Sequence, residues 1–231
     1  MGALASLRFT EVRHRDQYPG LIGAWGFDEG TGLVAVDSST KGSDLTVSPG
    51  MTWATGYASG TAIQNGGGGG AGGAFRQKDI VDSNMTIMGW ARPLDLTSGT
   101  SRPLFGFWDA TNAAGSTWLA IWAQRNDFGT GNVLQGNVRA GGSLVALNGS
   151  ALTLNTWAHL ALTYNGTNII LYKDGVSVAT VAQPGAAYTG TAYFLVVPDS
   201  GNAQVDDVRV FNTTLSQAEI QSFMQQPVAV P

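Results

Sequence analysis

Side chains able to do chemistry are sparse here. Glutamate occurs only at 11, 29 and 219, histidine only at 14 and 159, and cysteine not at all. The lack of cysteine removes disulfides, thiolate zinc sites and a thiol nucleophile. Two-acid glycoside hydrolysis by a retaining route needs carboxyls about 5–5.5 Å apart, and no predicted strand carries such a pair. Asp206 and Asp207 are adjacent, so a regular strand would point them to opposite sides. No Gly-x-Ser-x-Gly elbow is present. His159 lies in an apolar strand-like run, where a buried structural role is expected. The expectation is no catalytic residue and no enzyme.

What remains is binding chemistry. Trp53, Tyr57, Trp108, Trp118, Trp122 and Tyr188 are candidates for stacking on sugar rings, although a β-rich core claims aromatics as well. Trp108-Asp109 beside Asn112, and Asn126-Asp127 before Gly129, lie in loop-like sequence that could offer polar groups to hydroxyls. Trp108, Asp109 and Asn126 are the expected glycan contacts.

These groups must be carried by strands. The 231 residues include 32 glycines and only 12% charged residues, with 43% hydrophobic content and a net charge of −4. A disordered chain is excluded, and 12 basic residues make nucleic acid an unpromising partner. No apolar run reaches the ~20 residues of a membrane span. Period-two patterning dominates, as in Leu21–Phe27, Met85–Ala91, Trp118–Trp122, Trp157–Tyr164 and Val205–Phe211. Asp174-Gly175 between two β-rich runs predicts a tight hairpin. Ser216 and Glu219 form a capping-box pattern that predicts one short helix over 216–225. The fold class is therefore all-β: a two-sheet antiparallel jelly-roll sandwich with one short C-terminal helix. The glycine run 65–73 is read as a long loop within one domain.

Residues 1–20 stand apart. They hold three basic and two acidic residues, which leaves 9 basic and 14 acidic, or −5, for the rest. They are read as an arm or attachment segment, followed by the jelly roll over 21–226 and a tail over 227–231.

Two stretches carry a family likeness: Trp157-Ala158-His159-Leu160 through Lys173-Asp174-Gly175, and Val205-Asp206-Asp207-Val208-Arg209-Val210-Phe211 with Leu215-Ser216 and Glu219-Ile220. With Gly23–Gly30 and Val36–Ser39 they resemble laminin G-like jelly rolls of the concanavalin A-like lectin/glucanase superfamily. The resemblance implies two packed antiparallel sheets, one of them concave. It also implies one structural Ca²⁺ at the matching positions Asp28, Asp37 and Asp206. Asp206, sharing a strand face with Val208 and Val210, is expected to point inward and need a partner. The competing reading is that Asp37 caps a turn with Ser38-Ser39 and Asp206 accepts backbone N–H bonds.

No export signal is recognisable, yet this fold ordinarily works outside cells. A virion surface protein, made in a bacterial cytoplasm and released by lysis, reconciles the two. It resembles bacteriophage minor tail or capsid-decoration proteins. Residues 1–20 would contact other virion subunits in a multicopy assembly, and the jelly roll would meet host-surface glycan. The alternatives are an extracellular carbohydrate-binding accessory module of a polysaccharide-degrading system, or a purely structural capsid or tail cement.

Overall fold

The computed structural model describes residues 18–66, 74–79, 84–97, 99–109, 117–124, 133–140, 142–185, 191–197 and 201–228, with 74–79 as backbone only. The expectations for residues 1–17 and for most of the glycine run fall outside these.

Two eight-stranded antiparallel sheets face each other. The first runs β14 (Val176–Ala182), β13 (Asn168–Lys173), β12 (Ala158–Asn165), β7 (Asn84–Pro93), β16 (Ala203–Phe211), β5 (Thr61–Asn65), β4 (Met51–Thr55), with β1 (Leu21–Trp25) also on β16. The second runs β11 (Ser143–Asn148), β10 (Gln135–Ala140), β9 (Thr117–Gln124), β8 (Arg102–Asp109), β15 (Thr191–Val196), β6 (Ala74–Asp79), β3 (Leu45–Val47), β2 (Val34–Ala35). This is the expected jelly-roll sandwich.

Period two sorts the side chains. Met85, Ile87 and Ala91 of β7, Leu160 and Leu162 of β12, and Phe105, Phe107, Phe194 and Val138 of the facing sheet fill the core between the sheets. Trp25 and Phe27 join it, and Trp25 stacks on Phe194 at 5.1 Å. The Asp174-Gly175 hairpin forms with both residues at positive φ, 52° and 73°, as a twist-matched two-residue turn requires.

A second apolar cluster covers part of the first sheet's outer face. Met88, Ala161, Tyr172 and Phe211 meet Ile220 and Phe223 of α1 (Gln217–Met224). Ser216 caps this helix, with the reciprocal bond from its own N–H to Glu219. Tyr18 lies edge-on to Phe223 at 4.7 Å and bonds Gln226, and Val228 is buried in the same cluster. Residues 18–20 and 227–228 thus pack on the jelly roll.

One strand differs from its expected pattern. The β16–β7 register shifts between Asp206 and Arg209, and Asp207 adopts φ 49°. This bulge puts Val205, Val208 and Val210 in the core, so Asp206 does not share a face with Val208 and Val210. It lies instead on the outer face with Gln204. Asp207 also reaches that side, where its Oδ1 accepts from Val228 N at 2.7 Å. The bulge coincides with a change of neighbour: β5 pairs with residues 203–205, and β1 with residues 208–211.

Candidate functional site

The gap between β1 and β5 is filled by two carboxylates and a loop. Asp28 Oδ1 accepts from Thr61 N at 2.9 Å, and Thr61 Oγ1 donates to Phe27 O at 2.6 Å. Asp206 Oδ2 accepts from Tyr57 N at 2.8 Å. Glycine is required at both corners of the loop. A Cβ on Gly56 would sit 2.8 Å from Asp206 Oδ2, and one on Gly60, at φ +66°, would collide with Asp28 Oδ1. Burial pushes the Asp206 carboxyl up to about 8; the Tyr57 N–H opposes that rise, and the Asp207 and Asp28 charges add to it. Burial likewise raises Glu29 next door.

Asp37 is arranged differently. It is fully buried. Its Oδ1 accepts from Ala24 N and Ser39 N, each at 2.8 Å, and its Oδ2 from Ser39 Oγ at 2.7 Å and Ser43 N at 2.5 Å. Four protein donors use the sites a cation would need, so Asp37 serves as the hub that ties β1 to the 37–43 turn. Among the described residues, no group of three or more His, Cys, Asp or Glu side chains is arranged to hold a metal. Asp28 and Asp206 suit a hard cation only with backbone oxygens; the Ser59 and Thr61 carbonyls flank Gly56. Asp37 does not fit that set.

The 56–60 loop also places an aromatic group. Tyr57 stacks on Trp90 at 3.4 Å between centroids and meets Trp157 edge-on at 6.1 Å. His159 lies beneath, edge-on to Trp90 at 5.3 Å and only 2% exposed. Burial, with the Arg209 charge as a second cause, drives its pKa down to about 3. A neutral buried ring matches the expected structural role.

Of the predicted glycan residues, Trp108 lies on the outer face of the second sheet. Gly136 and Val138 point to the core, the first towards Leu162 and Leu171, so alternation sends Gln135, Asn137 and Arg139 outward. Trp122 opposes Gln135, and Tyr193 opposes Trp108. Trp108 is half-buried and edge-on to Trp122 at 6.1 Å. Asp109 ends β8, with only its backbone described, and Asn126, Asn112 and Tyr188 lie outside the described residues. Of the remaining stacking candidates, Trp118 packs in the core against Phe107 and Trp53 packs against the core's edge. Gln135 and Asn137 are wholly buried although they face away from the core, and Gln135 Nε2 donates to Asn148 Oδ1 at 2.8 Å. Sequence reasoning missed these amides and Tyr193. The available signal was a polar residue at every second position of β10.

Solved structures share this architecture at low identity. The binding domain of Paraclostridial Mosquitocidal Protein 1 superposes with a TM-score of 0.66 at 18% identity, over 88% of this chain and 51% of that one. Domain 4 of AbnA, a GH43 extracellular arabinanase from Geobacillus stearothermophilus, in complex with arabinotriose, gives 0.65 at 18% identity, over 90% of this chain and 100% of that one. Trypanosoma rangeli sialidase gives 0.64 at 19% identity, over 90% of this chain and 33% of that one. The chain thus spans about half of the mosquitocidal structure and a third of the sialidase. No curated protein matches it in sequence. The laminin G pattern, however, matches continuously from residue 65 to residue 221, from the end of β5 into α1. With most of both sheets inside that match, the chain belongs to the laminin G-like family of the Concanavalin A-like lectin/glucanases superfamily.

Proposed function

We propose that this jelly roll is a non-catalytic glycan-binding module that works through the outer face of its second sheet. The observation that carries this reading is Trp108, half-exposed beside Trp122 and Tyr193 on that face. An aromatic plate binds the apolar side of a sugar, and the buried Gln135 and Asn137 brace the sheet beneath it without reaching the ligand. The setting proposed is a virion surface, with residues 1–20 contacting neighbouring subunits and many copies raising avidity by ~10²–10⁴ over one weak site. The charge density of that segment, against the charge-poor remainder, supports this. A Ca²⁺ held by Asp28 and Asp206 with loop carbonyls would neutralise their repulsion and stiffen the 56–61 loop. It is proposed as structural.

A second reading, an accessory module of a polysaccharide-degrading system, is favoured by the full-length match to the arabinanase domain, which was solved with arabinotriose. An array of cell-wall glycans, probed with monomeric and multivalent protein, tests both. Multivalent binding that weakens on Trp108→Ala supports adhesion. Arabinan-selective binding favours the accessory role. No binding in either form leaves the structural-cement reading, and sustained release of reducing sugar refutes a non-catalytic role.

A further inference from the structure

The first sheet's outer face is only partly covered by α1. Beyond the helix lies a row of polar and aromatic groups that the proposed function does not use. The β12–β7 register sets Ala158 opposite Ala91, which brings Trp157 alongside Arg92. Arg92 opposes Gln204, and Gln204 opposes Gln64. Trp157, Arg92, Gln204 and Gln64 thus form one row across three strand spacings, about 14 Å. Tyr57, 40% exposed, rises from the neighbouring row on top of Trp90.

The hydrogen bonds along this row run in one direction. Arg92 Nη1 donates to Gln204 Oε1 at 3.0 Å, and Gln204 Nε2 donates to Gln64 Oε1 at 2.8 Å. A guanidinium can only donate. It therefore fixes the orientation of both amides, and the chain terminates in the Gln64 NH₂. The N–H groups left to the surface are Gln64 Nε2 at one end and the rest of the Arg92 guanidinium at the other.

Charge points the same way. Arg92 Nε donates to Asn155 O at 2.9 Å, so both its acceptors are neutral carbonyl oxygens. Among the described residues the ion pair formed is Arg102–Asp95, and Arg92 has no carboxylate partner. A half-buried guanidinium held by neutral groups keeps its full charge for a ligand, and its fork matches a carboxylate or sulfate.

We infer that this row is a second binding site, on the sheet opposite Trp108, for an anionic saccharide: Tyr57 and Trp157 take the sugar ring, Arg92 takes its anionic group, and Gln64 Nε2, two strands away, meets a hydroxyl further along the chain. The site is independent of the proposed glycan face and goes beyond it. Asp206 acts as a positioning residue, because its bond to Tyr57 N holds the aromatic over the row.

Titration calorimetry on the full chain provides the test, with three probes: trigalacturonic acid, its neutral methyl ester, and a neutral-backbone galactan oligosaccharide bearing sulfate. The expected result is binding of at least one acidic probe, roughly tenfold or more above the ester. That binding should fall about tenfold in Arg92→Gln and in Tyr57→Ala, and persist in Trp108→Ala. Preference between the two acidic probes identifies the anion as carboxylate or sulfate. Unaltered melting temperatures establish that the surface variants fold. Equal affinity for acid and ester, binding untouched by Arg92→Gln, loss with Trp108→Ala alone, or no binding of any probe each overturns the inference.

Discussion

Replacing Asp37 by Asn distinguishes a hydrogen-bond hub from a metal ligand. The substitution preserves size and one oxygen. If the retained carbonyl stays at Oδ1, Ala24 N and Ser39 N keep their acceptor. The new NH₂ then faces Ser43 N and Ser39 Oγ. Ser39 Oγ can rotate to accept from it, but Ser43 N cannot. One charge-assisted bond is lost, worth about 1.5–3 kcal/mol, and a buried N–H is left unpaired at about 1–3 kcal/mol. The expected destabilisation is about 2.5–6 kcal/mol, or a melting point lower by roughly 5–24 °C for a domain of this size. Urea unfolding and thermal melts, each run with calcium and with excess chelator, measure it. A hub loses the same amount under both conditions. A loss below about 1 kcal/mol, or one that appears only when calcium is present, would refute the reasoning.

Other perturbations give distinct outcomes. Because the His159 pKa falls to about 3 in the folded chain from 6.5, its contribution is present above pH 6.5 and is lost as pH drops towards 3. The ceiling is about 4–5 kcal/mol. Asp206, raised to about 8, acts in the opposite sense: acidification from pH 8 to pH 4 favours the fold. The difference between wild type and His159→Leu in urea melts at pH 7 and pH 4 isolates the histidine, and a pH-independent difference contradicts its burial as a neutral ring. Gly60→Ala forces a Cβ onto Asp28 Oδ1 at a positive φ, so it should lower the melting point and remove any stabilisation by added calcium. Wild type that melts identically in calcium and chelator, with no metal by elemental analysis, discards the ion. Deleting residues 2–17 should leave the melting point nearly unchanged while abolishing incorporation into the assembly; a collapse of the fold would make that segment part of the core.

Local signals in the sequence translated well where one residue type dictates one conformation. Asp174-Gly175 and the Ser216–Glu219 box did so, because positive φ and helix capping are read within four residues. The core strands followed from alternation. The functional faces were harder to read. A two-residue bulge at Asp206–Asp207 reverses which side later residues occupy, and nothing adjacent in sequence announces it. Asp37 was visible as an Asp-Ser-Ser turn. Its bonds to Ala24 and Ser43 depend on strands that meet only in the folded chain. Gln135 and Asn137 were missed because burial on an outward face has no signature in hydropathy. The row from Trp157 to Gln64 joins residues 93 positions apart in the chain, so only strand order could assemble it.

The position of β16 carries a consequence for timing. It lies between β7 on one side and β5 with β1 on the other, so the first sheet has no centre until residues 203–211 have been synthesised. Leu21 must wait for Phe211, its partner in the register. Contacts so distant in the chain fold slowly, since loop closure is paid before pairing returns anything. During translation β7 and β5 therefore each expose an unpaired edge until the last strand slots between them. The window for mispairing with a neighbouring nascent chain is set by how quickly that strand emerges. Codon changes that slow elongation before residue 203 should raise aggregation without altering the mature protein.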